Sequence, residues 1–193
     1  MSQLLTLFNG SRSSPLSSLF PANAVFDLDA TIAASYSGGQ LLKNLINNPA
    51  DGAAKTAYDY TLGTSTAVTT DDPTFTGSVG SKDAYFLFDG GDYFNMTGAT
   101  SAAPLIDIMH QKTAYTIIMC MDINFSSAAL QTIFATGNTS NATNNALSIK
   151  LSATNMLYRQ RVQASSVQVT RAGITPNGAG NKIMVFSYDP ATN

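Results

Sequence analysis

Four aspartates stand where carboxylate oxygens could gather around a cation. Asp89 and Asp92 flank Gly90 and Gly91, and calcium takes six to eight oxygens at short range. The same pattern is also turn chemistry, in which short carboxylate side chains accept hydrogen bonds from nearby backbone N–H groups. The turn reading is preferred, with Asp89 and Asp92 kept as the calcium candidates. Asp71 and Asp72 lie in a Thr- and Ser-rich stretch and divide in the same way between cation oxygens and a solvated loop. Asp27 and Asp29 are two apart, which puts them on one face of a strand. Two carboxylates on one face can act as an acid–base pair, but on an opening strand a structural role outweighs catalysis. His110 follows the apolar patch Leu105 to Met109, and with no second His or Cys nearby it reads as the polar end of an element. Cys120, inside Tyr115-Thr116-Ile117-Ile118-Met119-Cys120-Met121, reads as a small buried hydrophobe. Tyr58, Tyr60, Tyr85, Tyr93 and Tyr158, with the Asn-rich segment 137–145, have the chemistry for sugar stacking and hydrogen bonding. Tyr on a strand more often packs half-buried, so no sugar site is assigned, and no residue is assigned a catalytic role.

Composition narrows the field further. The chain has 193 residues, the size of one domain, and 44% of them are hydrophobic, enough for a core. Charged residues make up 11%, against about 25% in a typical soluble domain. All 12 acidic residues are Asp; there is one His, one Cys and no Trp. Glycosidase chemistry that needs two Glu is excluded, as is a zinc site of several His or Cys. One Cys closes no internal disulfide, so the fold rests on its core. The 10 Lys and Arg are scattered and the net charge is −2. Nucleic-acid binding needs a basic stripe, so none is expected. No apolar run reaches the ~20 residues of a membrane span, and the first 21 residues lack the basic start and unbroken apolar run of a signal peptide. The Asn-x-Ser/Thr triplets at Asn9, Asn95, Asn124, Asn138 and Asn141 are given no weight.

These side chains must be positioned by short strands. Residues 1–21, Ser-rich with Pro15 and Pro21 and apolar at Leu4, Leu5, Leu7 and Phe8, read as an extended N-terminal arm that orders on a neighbour. Ala24–Asp29 reads as a strand. Gly38–Asn48, with Leu41, Leu42, Leu45 and Ile46, fits either a helical turn or a loop with buried anchors. Pro49-Ala50-Asp51-Gly52 is a turn, Thr56–Leu62 a strand, and Gly63–Gly80 a polar loop. Ala84–Phe88 reads as a strand whose hairpin partner is Tyr93–Met96 across Asp89-Gly90-Gly91-Asp92. Ser101–His110 reads as a short helix (near 101–111), capped by Ser101 with Pro104 in its first turn. Thr113–Ile123 is a long apolar strand. Leu130–Ala135, Ala146–Leu151, Met156–Arg161, Val167–Arg171 and Lys182–Tyr188 follow, with turn residues between them. Short strands with turn signals every ~8–12 residues predict an all-β antiparallel sandwich or barrel.

The order of these elements resembles the concanavalin A-like domains of the laminin G-like branch. Tyr85-Phe86-Leu87-Phe88-Asp89-Gly90-Gly91-Asp92-Tyr93-Phe94 is similar to that family's strand–turn–strand, and Tyr115–Asp122 to its long apolar strand. Gln131–Gly137, Ala146–Ile149, Met156–Arg159 and Ile183–Asp189 follow in the family's order, and Ala24–Asp29 resembles its opening strand. The resemblance spans residues 22–193 and implies a lectin-like jelly roll preceded by the 1–21 arm. The family usually carries Trp on the long strand and continues past its Tyr-Asp strand. This chain has no Trp and stops at Asn193, so the expectation is a sheet completed by a longer chain or a neighbour. An open edge would then be an adhesive site.

A Glu-free, Ser/Thr/Asn/Gly-rich chain with an arm and a lectin-like domain also resembles virion proteins of tailed bacteriophages. That resemblance implies a non-enzymatic structural protein, made in the host cytoplasm and located in the virion as a capsid- or tail-associated decoration or appendage. Its partners would be other virion proteins, with a homo-oligomer inside the assembly. Assembly would run through the arm, including Leu4, Leu5, Leu7 and Phe8. Low surface charge suits permanent interfaces, which are depleted in Lys, Glu and Asp. The alternatives are a carbohydrate-binding adhesin that takes a host-surface glycan and, more weakly, a polysaccharide lyase or hydrolase.

Overall fold

β-Branched and aromatic residues, punctuated by Gly, Asn and Pro, dictate short extended segments, and short strands dominate the structure. A computed structural model describes residues 3–8, 24–50, 52–96, 114–123, 131–136, 146–152, 154–162, 165–172 and 178–189. The strands are β1 (Gln3–Phe8), β2 (Ala24–Asp29), β3 (Leu41–Leu42), β4 (Tyr60–Leu62), β5 (Thr74–Thr76), β6 (Tyr85–Leu87) and β7 (Phe94–Met96), then β8 (Tyr115–Ile123), β9 (Gln131–Ala135), β10 (Ala146–Leu151), β11 (Asn155–Val162), β12 (Ser165–Ala172) and β13 (Gly178–Tyr188). One four-stranded sheet has the order β13-β8-β1-β2 and a second the order β12-β11-β10-β9. A three-stranded sheet β3-β4-β7 and a two-stranded sheet β5-β6 complete the described pairings. All pairings are antiparallel except those of β1, which runs parallel to both β2 and β8. The all-β class is as expected.

Period-two alternation sets the core. On β8, Tyr115, Ile117 and Met119 are buried while Thr116, Ile118 and Cys120 are only partly so. Phe186 and Tyr188 of β13 lie in register with Ile117 and Tyr115 and are also buried. The two four-stranded sheets meet through these side chains. Tyr158 of β11 stacks on Phe186 at 6.3 Å, and the Tyr115 and Tyr158 hydroxyls are 2.6 Å apart. Leu147, Ile149 and Leu151 of β10 are fully buried, and burial of each such side chain is worth about 1.5–3 kcal/mol.

β2 does not alternate: all six of its residues are buried. Phe26 and Leu28 face the core cluster. The opposite face, with Asp27 and Asp29, is roofed by the chain from Thr31 to Asp59 through hydrogen bonds described below. Gly38–Asn48 is therefore a loop with buried anchors, Leu42, Leu45 and Ile46, that carries the short strand β3 and makes no helical turn. Gly52 N–H closes the expected turn on the Pro49 carbonyl at 2.9 Å.

Four local expectations change. The arm's residues 3–8 form β1 inside the first sheet, because two open strand edges flank the position they occupy. The segment expected as one strand from Thr56 to Leu62 divides into a 3-10 turn, Lys55–Tyr58, and β4. Tyr58 stacks on Phe26 at 6.0 Å, and this packing bends the backbone where propensity alone favoured extension. The polar loop Gly63–Gly80 contains β5. Finally, Tyr93–Met96 is not the hairpin partner of β6: β6 pairs with β5 and β7 with β4. The two segments instead meet through rings, Phe86 against Phe94 at 5.0 Å and Phe88 against Phe94 at 5.0 Å, both edge to face. The expected helix near 101–111 lies outside the described residues.

Candidate functional site

The aspartates at the two turns are brought together by tertiary structure. Gly63 N–H donates to the Tyr93 carbonyl at 2.8 Å and Tyr93 N–H to the Asp71 carbonyl at 3.2 Å. These bonds dock the 63–73 loop against the Asp89–Asp92 turn. Asp71 accepts from the Thr64 and Thr69 hydroxyls and from Thr64 N–H at 3.1 Å. Tyr93 Oη lies 2.6 Å from Thr64 Oγ1. Hydrogen bonds from Thr64, then Thr69 and Tyr93, hold the Asp71 carboxyl well below the usual carboxylate range. Asp72 accepts from Thr69 N–H at 2.9 Å. Gly63 suits this turn: its φ is +63°, where side chains are strained, and a Cβ would press on the Asp71 and Asp72 carboxylates.

At the second turn Asp89 N–H donates to Asp92 Oδ2 at 2.8 Å and Gly91 N–H to Asp89 Oδ1 at 3.0 Å. Gly90 adopts φ +103°. The calcium candidates Asp89 and Asp92 thus spend carboxylate oxygens on their own turn. Desolvation raises the Asp92 pKa, with Asp89 and Asp71 adding charge repulsion. Among the described residues no three His, Cys, Asp or Glu gather in a group that could hold a metal ion.

The other sequence candidates separate by burial. Tyr58, Tyr60, Tyr115 and Tyr158 are buried, whereas Tyr85 and Tyr93 are exposed. Asp27 and Asp29 share the roofed face of β2. Asp29 Oδ1 accepts from Thr31 N–H at 2.8 Å and from Thr31 Oγ1 at 2.7 Å. Asp27 N–H donates to Asn44 Oδ1 at 3.0 Å. The Asp29 carboxylate thus closes a local turn on Thr31, and the backbone of Asp27 ties β2 to Asn44. His110 and the 137–145 segment lie outside the described residues.

Asp59 sits under the same roof and accepts from Asn44 N–H at 2.8 Å. Desolvation raises its pKa, opposed by the Asn44 hydrogen bond and by Lys55 and Lys43. The sign follows from linkage. Because the folded pKa is the higher one, the unfolded chain releases this proton first as pH rises. The contribution of Asp59 to stability is therefore complete below about pH 4 and is lost as pH rises through the raised folded value. Asp59→Asn keeps an oxygen for Asn44 N–H and removes the charge. Urea midpoints compared at about pH 4 and about pH 7 will show the variant gaining on the parent at the higher pH. A constant gap between the two would contradict this.

Among the described residues β13 pairs with β8 alone and borders the first sheet, and it carries exposed apolar side chains. Ile183 is 68% exposed and Val185 59% exposed. They lie in register with Cys120 and Ile118 of β8, so Ile118, Cys120, Ile183 and Val185 share the outer face. Cys120 is half-buried there. Thr116 Oγ1 and Ser187 Oγ meet at 3.1 Å on the same face. Sequence reading missed this surface because Ile183–Phe186 is apolar on both faces. Without polar alternation, no signal tells the core side from the outer side.

The geometry offers docking chemistry: a strand edge that no described residue pairs, with a β-branched stripe beside it. Among the described residues no helix is long and apolar enough to cross a membrane. Comparisons with protein-family models, with curated proteins and with solved structures find no match to this chain.

Proposed function

We propose that this chain is a non-enzymatic structural protein that assembles through a lectin-like jelly roll, as a capsid- or tail-associated component of a virion. In this reading the two four-stranded sheets are the layers of the sandwich. The virion setting rests on the resemblance of its composition to phage structural proteins. The assembly role rests on one observation, the β13 edge with Ile183 and Val185 turned outward. A long edge strand with an apolar face invites pairing with another chain, and a chain with 11% charged residues pays little desolvation at an interface.

The test is the double variant Ile183→Lys with Val185→Lys. Both side chains are exposed, so the fold tolerates the change, while edge lysines oppose strand addition. Light scattering across a dilution series is expected to show the parent as a multimer. The variant should dissociate at a concentration about tenfold higher or more, as for a loss of at least ~1.4 kcal/mol at the interface. A parent that stays monomeric at high concentration would remove the reading. A carbohydrate-binding adhesin is the second reading. It is favoured by the exposed Tyr93 and Phe88 rings beside the Asp71, Asp72, Asp89 and Asp92 carboxylates, since sugars stack on rings and donate hydroxyls to acids. Silence of the purified protein on an array of bacterial surface glycans, with and without calcium, would end it.

A further inference from the structure

Charge is distributed unevenly along the chain. Residues 63–96 hold five of the 12 Asp and a single basic residue, Lys82, a net charge of −4, whereas the whole chain carries −2. The remainder is therefore net positive.

Tertiary structure gathers four of these carboxylates beside two exposed rings. The Thr69 hydroxyl reaches both Asp71 and Asp72. The Thr64 hydroxyl joins Asp71 to the Tyr93 hydroxyl, and Asp92 accepts from Asp89 N–H at 2.8 Å. Beyond desolvation, the charges of Asp89 and Asp71 push the Asp92 pKa upward, so the carboxylates stand close enough to repel one another. Phe88 packs edge to face on Phe94, Phe94 on Phe86, and Phe86 on the buried ring of Tyr36. This stack fixes Phe88 yet leaves it 46% exposed. Tyr93 is exposed as well, with its hydroxyl held by Thr64. Side chains fixed in advance lose little freedom when a partner docks.

The chemistry of the rim selects among ligands. A calcium ion needs a shell of six to eight oxygens, yet Asp71 uses both of its oxygens on Thr64 and Thr69. Asp89 Oδ1 and Asp92 Oδ2 serve their own turn. A neutral sugar gains nothing from the concentrated negative charge. A guanidinium needs only outward lone pairs on carboxylates already in place. It forks across two oxygens and lays its plane on an aromatic face.

We infer that Phe88, Tyr93 and the carboxylates of Asp71, Asp72, Asp89 and Asp92 form a docking site for an Arg-bearing segment of a partner protein. The site uses no residue of the β13 edge, so it stands or falls apart from the assembly reading. It gives the two rings an occupant other than the sugar of the adhesin reading.

Titration calorimetry with a tetra-arginine peptide tests the site, with tetralysine as the comparison. The protein is expected to bind tetra-arginine about threefold tighter than tetralysine or better, because guanidinium stacks on the rings. Asp89→Asn with Asp92→Asn keeps an oxygen for each turn hydrogen bond and removes two charges. It should weaken tetra-arginine about tenfold or more. Phe88→Leu keeps an apolar side chain and should abolish the preference for arginine over lysine. Asp189→Asn, a neutralisation outside the segment, should leave affinity within about twofold. In amide NMR spectra the shifts that move on titration should fall within residues 63–96. Equal affinity for the two peptides, or an equal loss in Asp189→Asn, reduces the effect to diffuse charge and overturns the proposal. Absence of tetra-arginine binding overturns it too, and a bacterial surface glycan bound at the same amides instead would return the rings to the adhesin reading.

Discussion

Asn44→Ala is expected to destabilise the fold by about 4 kcal/mol, the largest loss from any single substitution considered. Asn44 is 0% exposed and uses its whole amide. Its Oδ1 accepts from Asp27 N–H at 3.0 Å and from Ile46 N–H at 3.0 Å. Its Nδ2 approaches the carbonyls of Val25, Ile46 and Lys55 at 3.3 to 3.5 Å. Truncation leaves two buried N–H groups without their acceptor, each worth about 1–3 kcal/mol, and removes the weaker carbonyl contacts besides. The residue joins β2, the loop after β3 and the 3-10 turn, so no single strand can relax to compensate. Denaturant titration should give the full loss, and the melting temperature should fall by roughly 10 °C for a chain of this length. A loss under about 1 kcal/mol would mean that water replaces the amide and that the roof over β2 is held by other contacts.

The second large effect lies between the two four-stranded sheets. Tyr115 and Tyr158 both reach Gln160 Oε1 at 2.8 Å, and their hydroxyls are 2.6 Å apart. Two hydroxyl protons serve three contacts, so Gln160 must supply the final acceptor. Gln160→Leu lets one hydroxyl bond the other and leaves the second proton buried with no acceptor. The expected loss is about 2 kcal/mol. Adding Tyr115→Phe and Tyr158→Phe removes the stranded groups, and the triple variant should recover most of that loss. A double-mutant cycle on Gln160 and Tyr115 should therefore be strongly non-additive. Additive losses would show that each residue acts by packing alone. Burial pushes the Tyr158 hydroxyl up to about 12 and raises that of Tyr115 as well. Both stay protonated through neutral pH, so the loss in Gln160→Leu should not vary between about pH 5 and about pH 8.

Several features were legible from residue types. Val, Ile, Tyr and Phe in short runs, broken by Gly, Asn and Pro, imply strands because branched and aromatic side chains fit a pleated surface. Ala24–Asp29, Ala84–Phe88, Thr113–Ile123, Ala146–Leu151 and Lys182–Tyr188 were found this way. Asp89-Gly90-Gly91-Asp92 was found as a turn because its signal is local: a carboxylate reaches a backbone N–H two or three residues away. One His, one Cys and no Glu limited the chemistry before any fold was considered.

What remained illegible depends on contacts far apart in sequence. Thr56–Leu62 has strand residues throughout, yet Tyr58 packs on Phe26 and turns the chain there. β6 and β7 look like a hairpin, yet each pairs elsewhere, because a turn signal marks a reversal without naming the strand that follows it. Leu4, Leu5, Leu7 and Phe8 read as a weakly apolar arm, and only the two open edges of β2 and β8 make their segment a strand within a sheet. Asn44 carries no local mark that separates it from the chain's other asparagines; its role arises where Asp27, Ile46 and Lys55 converge on it. The outer face of β13 was hidden for the complementary reason, since a run apolar on both sides acquires an inside only when Tyr115, Ile117 and Met119 cover one of them. Residue chemistry settles which segments extend and which turn, whereas burial and pairing, which belong to the whole chain at once, decide which polar groups become structural and which apolar ones stay in water.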